Sequence, residues 1–195
     1  MKVKHYIFCI LILGLIVSCS SSADRGSSVN TFNYDYEPSD SELLSTNIPV
    51  ISIQVDNNEE VNEKEYKWTC TLNVTDDLVP DNNKSISNIK IKCRGNSSFK
   101  HPKKSYTLKL ASKEKILGLD KNKNWVLIAN YADNTLLRNL YATKTGKEIF
   151  DNLAWSPSFK SVHLKVNGIY RGVYLFGESV KINDKRVNIQ DISDF

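Results

Sequence analysis

The chain has 195 residues, of which 41% are hydrophobic and 25% are charged, a composition typical of a soluble globular domain. Its formal net charge of +4 is too small to indicate a nucleic-acid-binding protein, so we expect no nucleic acid among its partners. The length allows one folded domain of roughly 150 residues after a leader and a linker.

The N-terminus has the features of an export signal. Lys2 and Lys4 form a positive start, and residues 7–17 are almost all apolar over a length that suits a signal peptide. The segment ends in LIVSC, which resembles a bacterial lipobox. We therefore expect residues 1–18 to be a lipoprotein signal peptide, and Cys19 to be lipidated and to anchor the folded domain to a membrane of the bacterial cell envelope, outside the cytoplasm. An ordinary cleaved signal peptide with an incidental Cys is the alternative.

Residues 19–47 are predicted to be the lipidated Cys and a flexible tether. Ser, Asp, Asn and Glu dominate this stretch, and no apolar periodicity persists in it. Such a segment buries too little apolar surface to offset the entropy of ordering it. We therefore place the folded domain at residues 48–195.

The domain begins with patterns of β-strands. Apolar residues alternate with polar ones near positions 51–55, 68–74, 89–93 and 106–110. This period of two predicts half-buried strands that follow one another along the chain. The pattern favours an antiparallel, β-rich domain.

Two cysteines lie on the apolar sides of these strands. Cys70 and Cys93 can form a disulfide in an exported protein, or they can remain two buried thiols that behave as small hydrophobic residues. The sequence does not decide between the two alternatives. A metal site is not indicated by so isolated a pair.

A polar and basic turn separates the third and fourth strands. Residues 94–98 read RGNSS, and Lys100, His101, Lys103 and Lys104 follow them. Glycine permits an unusual backbone conformation, and backbone N–H groups beside Arg and Lys suit a phosphate group. A polar turn with a solvated charged face is the alternative.

One main helix is predicted after the apolar run of residues 125–129, which itself indicates a fully buried strand. Three candidate N-caps come first, and an i,i+4 apolar face follows them, formed by the pairs Leu136 and Leu140, Leu137 and Tyr141, and Thr145 and Ile149. Arg138 lies in the first turn, where a cation opposes the helix dipole at a cost of roughly 0.3–1 kcal/mol. Its side chain either serves a site or reaches solvent.

The last part of the chain predicts a hairpin. The dipeptide Asn167-Gly168 lies between two alternating apolar runs and is a strong signal for a tight turn. Glu178 follows the second run and either orients a lysine of the basic turn or serves as a capping or surface carboxylate.

Several motifs in order resemble the CotH kinase family, which is named for a spore-coat protein. The similarity covers about residues 48–192, the N-terminal half of the family domain, and rests on Asp133, Glu178 and the strings RGNSS (94–98), PKKSY (102–106), LGL (117–119), WVLIANY (125–131), LLRN (136–139) and NGIYRGVYL (167–175).

The resemblance implies an α+β fold, an antiparallel β-rich domain with one main helix that resembles part of an atypical protein-kinase-like fold. It also implies binding of ATP with Mg²⁺ and phosphoryl transfer to Ser residues of a partner protein. The residues that we expect to contact the cofactor are Arg94, Asn96, Lys103, Lys104, Lys109, Arg138 and Glu178.

The sequence departs from the family in its acidic residues. The family's catalytic and metal-binding Asp residues lie well beyond the region of Glu178, and Asp191 and Asp194 fall too early to fill those places. We therefore expect a truncated member that holds Mg²⁺ poorly and is inactive or incomplete alone. A nucleotide- or protein-binding module that does not catalyse is a second hypothesis. A structural surface lipoprotein whose basic face contacts anionic glycans or lipid headgroups is a third.

Overall fold

The computed structural model describes residues 37–149 and 155–189, and within these ranges seven strands close into a barrel. The elements in chain order are α1 (Asp40–Leu44), β1 (Val50–Val55), β2 (Trp68–Thr75), β3 (Lys84–Arg94), β4 (Ser105–Ile116), β5 (Leu119–Ile128), α2 (Arg138–Ile149), β6 (Phe159–Val166) and β7 (Ile169–Glu178). The predicted signal peptide, the predicted lipidation site Cys19, and Asp191 and Asp194 lie outside the described residues.

The barrel runs in the order β1-β2-β3-β4-β5-β7-β6. Neighbouring strands are antiparallel except β1 and β6, which are parallel and close the barrel. Closure pairs the backbone of both outer strands and removes the exposed sheet edge. The prediction of an antiparallel β-rich domain with one main helix is confirmed.

Alternating side chains of the strands fill the barrel interior. In β2 every second residue from Trp68 to Val74 is buried, as the period of two predicts. Trp125 and Phe176 stack at the centre with ring centroids 5.1 Å apart, and both side chains are fully buried. Inward-facing apolar side chains of the strands therefore form the core of the barrel.

Helix α2 lies on the outside of the barrel. It contains no buried residue, and Tyr141 and Ile149 of its apolar face are 62% and 66% exposed. The helix lies in the predicted region but begins at Arg138, so Leu136, with a positive φ of 58°, and Leu137 of the predicted apolar face precede it. The described residues do not cover the apolar face that remains. No helix in the described part of the chain has the length and apolar character needed to cross a membrane.

The expectation of a tether through residue 47 is wrong for residues 37–47. Ser39 forms a capping box with Glu42 at the start of α1, and Leu43 is buried. Lys165 Nζ donates to the backbone oxygen of Pro38 at 3.0 Å and to the carboxylate of Asp40 at 2.6 Å. These contacts order the segment because they offset the entropy that polar composition alone leaves uncompensated.

The two cysteines are thiols in the structure and do not form a disulfide. Cys70 is opposite Ile89, and Cys93 lies four residues further along β3, which is roughly 13 Å at the rise of a strand. Disulfides require Cα atoms within about 7 Å. Burial raises the pKa of Cys70 to about 12 and that of Cys93 to about 11, so both remain protonated at neutral pH.

Replacing Leu43 tests whether the segment before β1 belongs to the folded domain. Leu43→Ala should lower the free energy of unfolding by about 2 kcal/mol, because a buried leucine loses its packing. Leu78→Ala is the matched control, since Leu78 is 64% exposed and should change stability by less than about 0.5 kcal/mol. Urea denaturation measures both. Equal, near-zero effects would mean that residues 37–47 are a tether after all.

Candidate anion site at one end of the barrel

A cavity of about 380 Å³ opens at one end of the barrel. Its walls come from the end of β3, the turn that follows it, the start of β4, the residues after β5 and the first turn of α2. Three of the predicted site residues line it: Arg94, Lys103 and Arg138. Segments far apart in sequence thus bring three cations to one concave surface.

Lys103 is the buried member of the three. Its side chain is 5% exposed, its Nζ donates to the backbone oxygen of Val173 at 2.6 Å, and it lies 4.4 Å from the centre of the Tyr174 ring. Burial disfavours the charged ammonium and lowers the pKa of Lys103 to about 8. Its contacts with Val173 and Tyr174 hold this partly destabilised cation in place, and it stays mostly protonated at neutral pH.

The turn after β3 depends on Gly95, the residue next to Arg94. Gly95 has φ of +104°, and a Cβ atom built there would lie 2.1 Å from the hydroxyl oxygen of Ser98. Only glycine fits this conformation and this approach. Burial lowers the pKa of Arg94, although a guanidinium remains charged at any physiological pH. Arg94 forms no ion pair with any carboxylate in the described part of the chain.

The start of α2 completes the cavity through a network around two acceptors. Asp133 receives hydrogen bonds from the backbone and hydroxyl of Thr135 at one oxygen and from the backbone N–H of Arg138 at the other. The Thr135 hydroxyl, followed by the Arg138 backbone, lowers the pKa of Asp133 against the opposing effect of desolvation. Asn130, which has a positive φ of 48°, accepts from Asn139 Nδ2 at 2.7 Å. Arg138 itself is 81% exposed and lies 3.5 Å from Asp133.

Several lining residues were not predicted as site residues. They are His101, Ser105, Asn130, Tyr131, Asp133 and Asn139. The His101 ring stacks on that of Tyr131 at 4.9 Å, and the Ser105 hydroxyl accepts from the backbone N–H of Ala129. Most of these positions fall within motifs that carry the family resemblance, which was the signal available for them.

Three other predicted residues lie elsewhere. Asn96 is exposed and begins the short 3₁₀ turn Ser97–Lys100 without lining the cavity. Lys104 donates to the backbone oxygen of Phe99 at 2.7 Å and lies 4.8 Å from its ring, so it braces the turn. Lys109 is exposed on the outer face of β4. The expected single basic edge is therefore divided among the end cavity, the turn and the outer face of β4.

Glu178 does not pair with a lysine of the basic turn. It is buried, its Oε2 accepts from the backbone N–H of Ser158 at 2.9 Å, and its Oε1 lies 3.8 Å from Arg186 Nε. Arg186 in turn donates to the backbone oxygen and hydroxyl of Ser179. The carboxylate thus joins β7 to the start of β6 and to the segment that follows β7, which is a structural role.

The arrangement is suited to a tetrahedral oxyanion. Two guanidinium groups offer paired N–H donors, and a buried ammonium adds a positive charge where solvent screening is weak. The cavity contains one carboxylate, Asp133, and both of its oxygens already accept hydrogen bonds. Among the described residues no three His, Cys, Asp or Glu side chains form a metal-binding group.

Comparison with models of protein families gives a match over residues 91–194 to CotH, described as CotH kinase protein. This region begins within β3 and includes the cavity and the elements that form it. No curated protein matches the chain.

The low pKa of Lys103 predicts how anion binding depends on pH. Sulfate keeps the same charge across the neutral and alkaline range, so its affinity should fall as pH rises through about 8, where Lys103 loses its proton. Lys103→Arg should bind sulfate with little change from pH 7 to pH 9, because arginine stays charged. An NMR titration at each pH measures both proteins. A wild-type affinity that is constant over this range would contradict the assignment of Lys103 to the site.

Lys103 also makes the free energy of unfolding depend on pH. Its pKa is lower in the folded protein than the ordinary value of 10.5, so the unfolded chain binds more protons between pH 8 and 10.5. The contribution of Lys103 to the free energy of unfolding therefore increases as pH rises through this window.

Proposed function

This chain belongs to the CotH kinase protein family, and on that basis we propose that its end cavity binds the phosphate groups of ATP. The observation that carries the proposal is the convergence of Arg94, Lys103 and Arg138 on one cavity, whose described lining includes a single carboxylate, Asp133, paired with Arg138. A site with this balance of charge favours an anion of high charge density. Triphosphate meets that requirement.

The three cations have different tasks in this proposal. Arg94 and Arg138 offer planar guanidinium groups to phosphate oxygens, and each charge-assisted contact contributes about 1.5–3 kcal/mol. Lys103 supplies a buried positive charge, and a bound phosphate raises the pKa of Lys103 and keeps it protonated. Gly95 leaves room for the backbone of the turn to approach a ligand closely.

The described residues do not fit a Mg²⁺ site. Magnesium takes oxygen ligands, most often one or two carboxylates together with phosphate oxygens. Asp133 is the one carboxylate in the described lining of the cavity, and its oxygens accept hydrogen bonds from Thr135 and from the backbone N–H of Arg138. We therefore assign phosphate binding to these residues and assign no metal ligand among them.

The family description contains the word kinase, and the sequence resemblance implies phosphoryl transfer to a protein Ser. Such transfer relies on positioned charge and on a carboxylate that orients the hydroxyl group. The described residues supply the first requirement at Arg94 and Lys103, and the cavity holds no carboxylate that is available for the second. We propose that the described residues supply the nucleotide-binding part of this activity and not its carboxylate.

The location of the protein is part of the same proposal. Lys2, Lys4 and the LIVSC ending support export and lipidation at Cys19. A lipid anchor places the domain at a membrane of the cell envelope, outside the cytoplasm. A protein partner with Ser residues would then be met at that surface.

Nucleotide titration of the purified protein by calorimetry tests the proposal. Arg94→Gln combined with Arg138→Gln should weaken ATP binding by about a hundredfold, because two charge-assisted contacts are lost. Lys109→Gln is the control, since it removes one exposed positive charge that does not line the cavity. Thermal melting checks that each variant folds.

Two results would contradict this assignment. One is unchanged affinity for ATP in the double variant. The other is an equal loss in Lys109→Gln, which would mean that overall charge rather than the cavity holds the nucleotide. Labelled ATP with Mg²⁺ and a Ser-rich acceptor should give negligible transfer, and robust labelling that disappears in the double variant would overturn the assignment of the domain as the binding part alone.

A further inference from the structure

A second basic surface lies on the outer wall of the barrel. A groove of about 430 Å³ runs over β3, β4 and β5 and is bounded by the segment after β7. Six cations line this basic groove: Lys67, Lys90, Lys92, Arg94, Lys109 and Lys181. No carboxylate is among the described residues that line it, and none of the six forms an ion pair within the described chain.

The positions of two of these lysines are unfavourable for the free protein. Lys90 and Lys109 are directly opposite each other on β3 and β4. Like charges in such a cross-strand pair destabilise a sheet. The Lys90 ammonium donates a hydrogen bond to the Thr69 hydroxyl. This bond holds the ammonium on the outer surface but does not neutralise its charge. A bound anion would reduce this repulsion.

The spacing of the charges indicates the form of the ligand. Lys90, Lys92 and Arg94 are alternate residues of β3, so they project from one face at intervals of about 7 Å. Alternate side chains of an extended peptide have the same interval. The lining also includes Val180, which is 71% exposed and offers apolar contact to such a chain.

The lining disfavours two other polyanions. Single-stranded nucleic acid is held by aromatic side chains on which bases stack, and no aromatic residue is among those that line the groove in the described chain. A bilayer surface meets flat or projecting basic residues, whereas these cations surround a concavity. An extended acidic peptide satisfies the concavity, the interval and the charge together.

We propose that the basic groove binds an extended, acidic segment of a partner protein, with carboxylates at alternate positions. Arg94 lines both the groove and the end cavity, so a segment in the groove runs toward the phosphate site. The orientation of a partner toward bound nucleotide rests on the proposed function. The binding of the segment does not.

Fluorescence anisotropy with the full chain tests the proposal. The probe is a labelled peptide of alternating Glu and Thr, about nine residues long. Lys109→Glu should weaken its binding by about tenfold, because the new carboxylate repels the peptide and neutralises Lys90 across the strand pair. The variant should melt no lower than the wild type, since a repulsive pair becomes an attractive one.

Lys113→Glu is the matched control on the same strand. Lys113 is exposed and does not line the groove. It is four residues from Lys109 along β4, which is farther than the Debye length of about 8 Å at physiological salt, so salt screens its charge from the groove. Its affinity for the peptide should stay within about twofold of the wild type. Equal losses in the two variants would overturn the proposal, because they would show attraction to overall charge.

Three further ligands complete the test. A peptide of the same composition with its Glu residues in one block should bind more weakly, and equal binding would contradict the alternating register. Anionic phospholipid vesicles and oligothymidine should bind more weakly than the alternating peptide, and a Lys109-dependent preference for either would replace the protein partner with that ligand.

Nucleotide binding measured in the same variants separates the two proposals. Lys109→Glu should retain its affinity for ATP, since Lys109 does not line the end cavity. If peptide binding follows the prediction while ATP does not bind, the groove stands and the proposed function fails. If ATP binds and the peptide does not, the groove proposal fails alone.

Discussion

One buried ammonium group connects the barrel to its candidate site. Lys103 lies two residues before β4, and its Nζ contacts the backbone oxygen of Val173 and the face of the Tyr174 ring on β7. The contact with Val173 spans 70 positions of sequence, so it forms only when the strands have assembled. Removing the ammonium from water is costly, and the lowered pKa of Lys103 measures that cost. A phosphate in the cavity would compensate it.

Barrel geometry also explains why the basic residues divide into two surfaces. The residues after β5 and the first turn of α2 close the end of the barrel, where Lys103 and Arg138 converge. The outward residues of β3 and β4 form the basic groove. Arg94 ends β3 and lines both surfaces. A modest overall charge of +4 therefore conceals two local concentrations of positive charge.

The strands were predictable because their signals are local. Alternation at β1 and β2, the apolar run in β5 and the Asn167-Gly168 turn each encode the element in which they occur. The helix α1 was also encoded, since Ser39 and Glu42 form a capping box before Leu43, but the polar composition around it led to the prediction of a tether.

Non-local contacts were not predictable in the same way. Nothing near Lys103 in sequence indicates that it contacts β7 while Lys104 turns to Phe99. The pairing of Glu178 with Arg186 depends on how the chain folds back after β7. The apolar face of α2 was predicted from its spacing, but spacing does not say whether another element covers it. Such features follow from tertiary packing, which single-sequence patterns do not contain.

The central claim is that the end cavity holds the phosphates of a nucleotide. A crystal structure of the protein with a non-hydrolysable ATP analogue tests it most directly. The account predicts phosphate oxygens within hydrogen-bonding distance of Arg94 and Lys103, beside the turn at Gly95. Phosphates that lie in the basic groove near Lys90 and Lys109, with the end cavity empty, would contradict it.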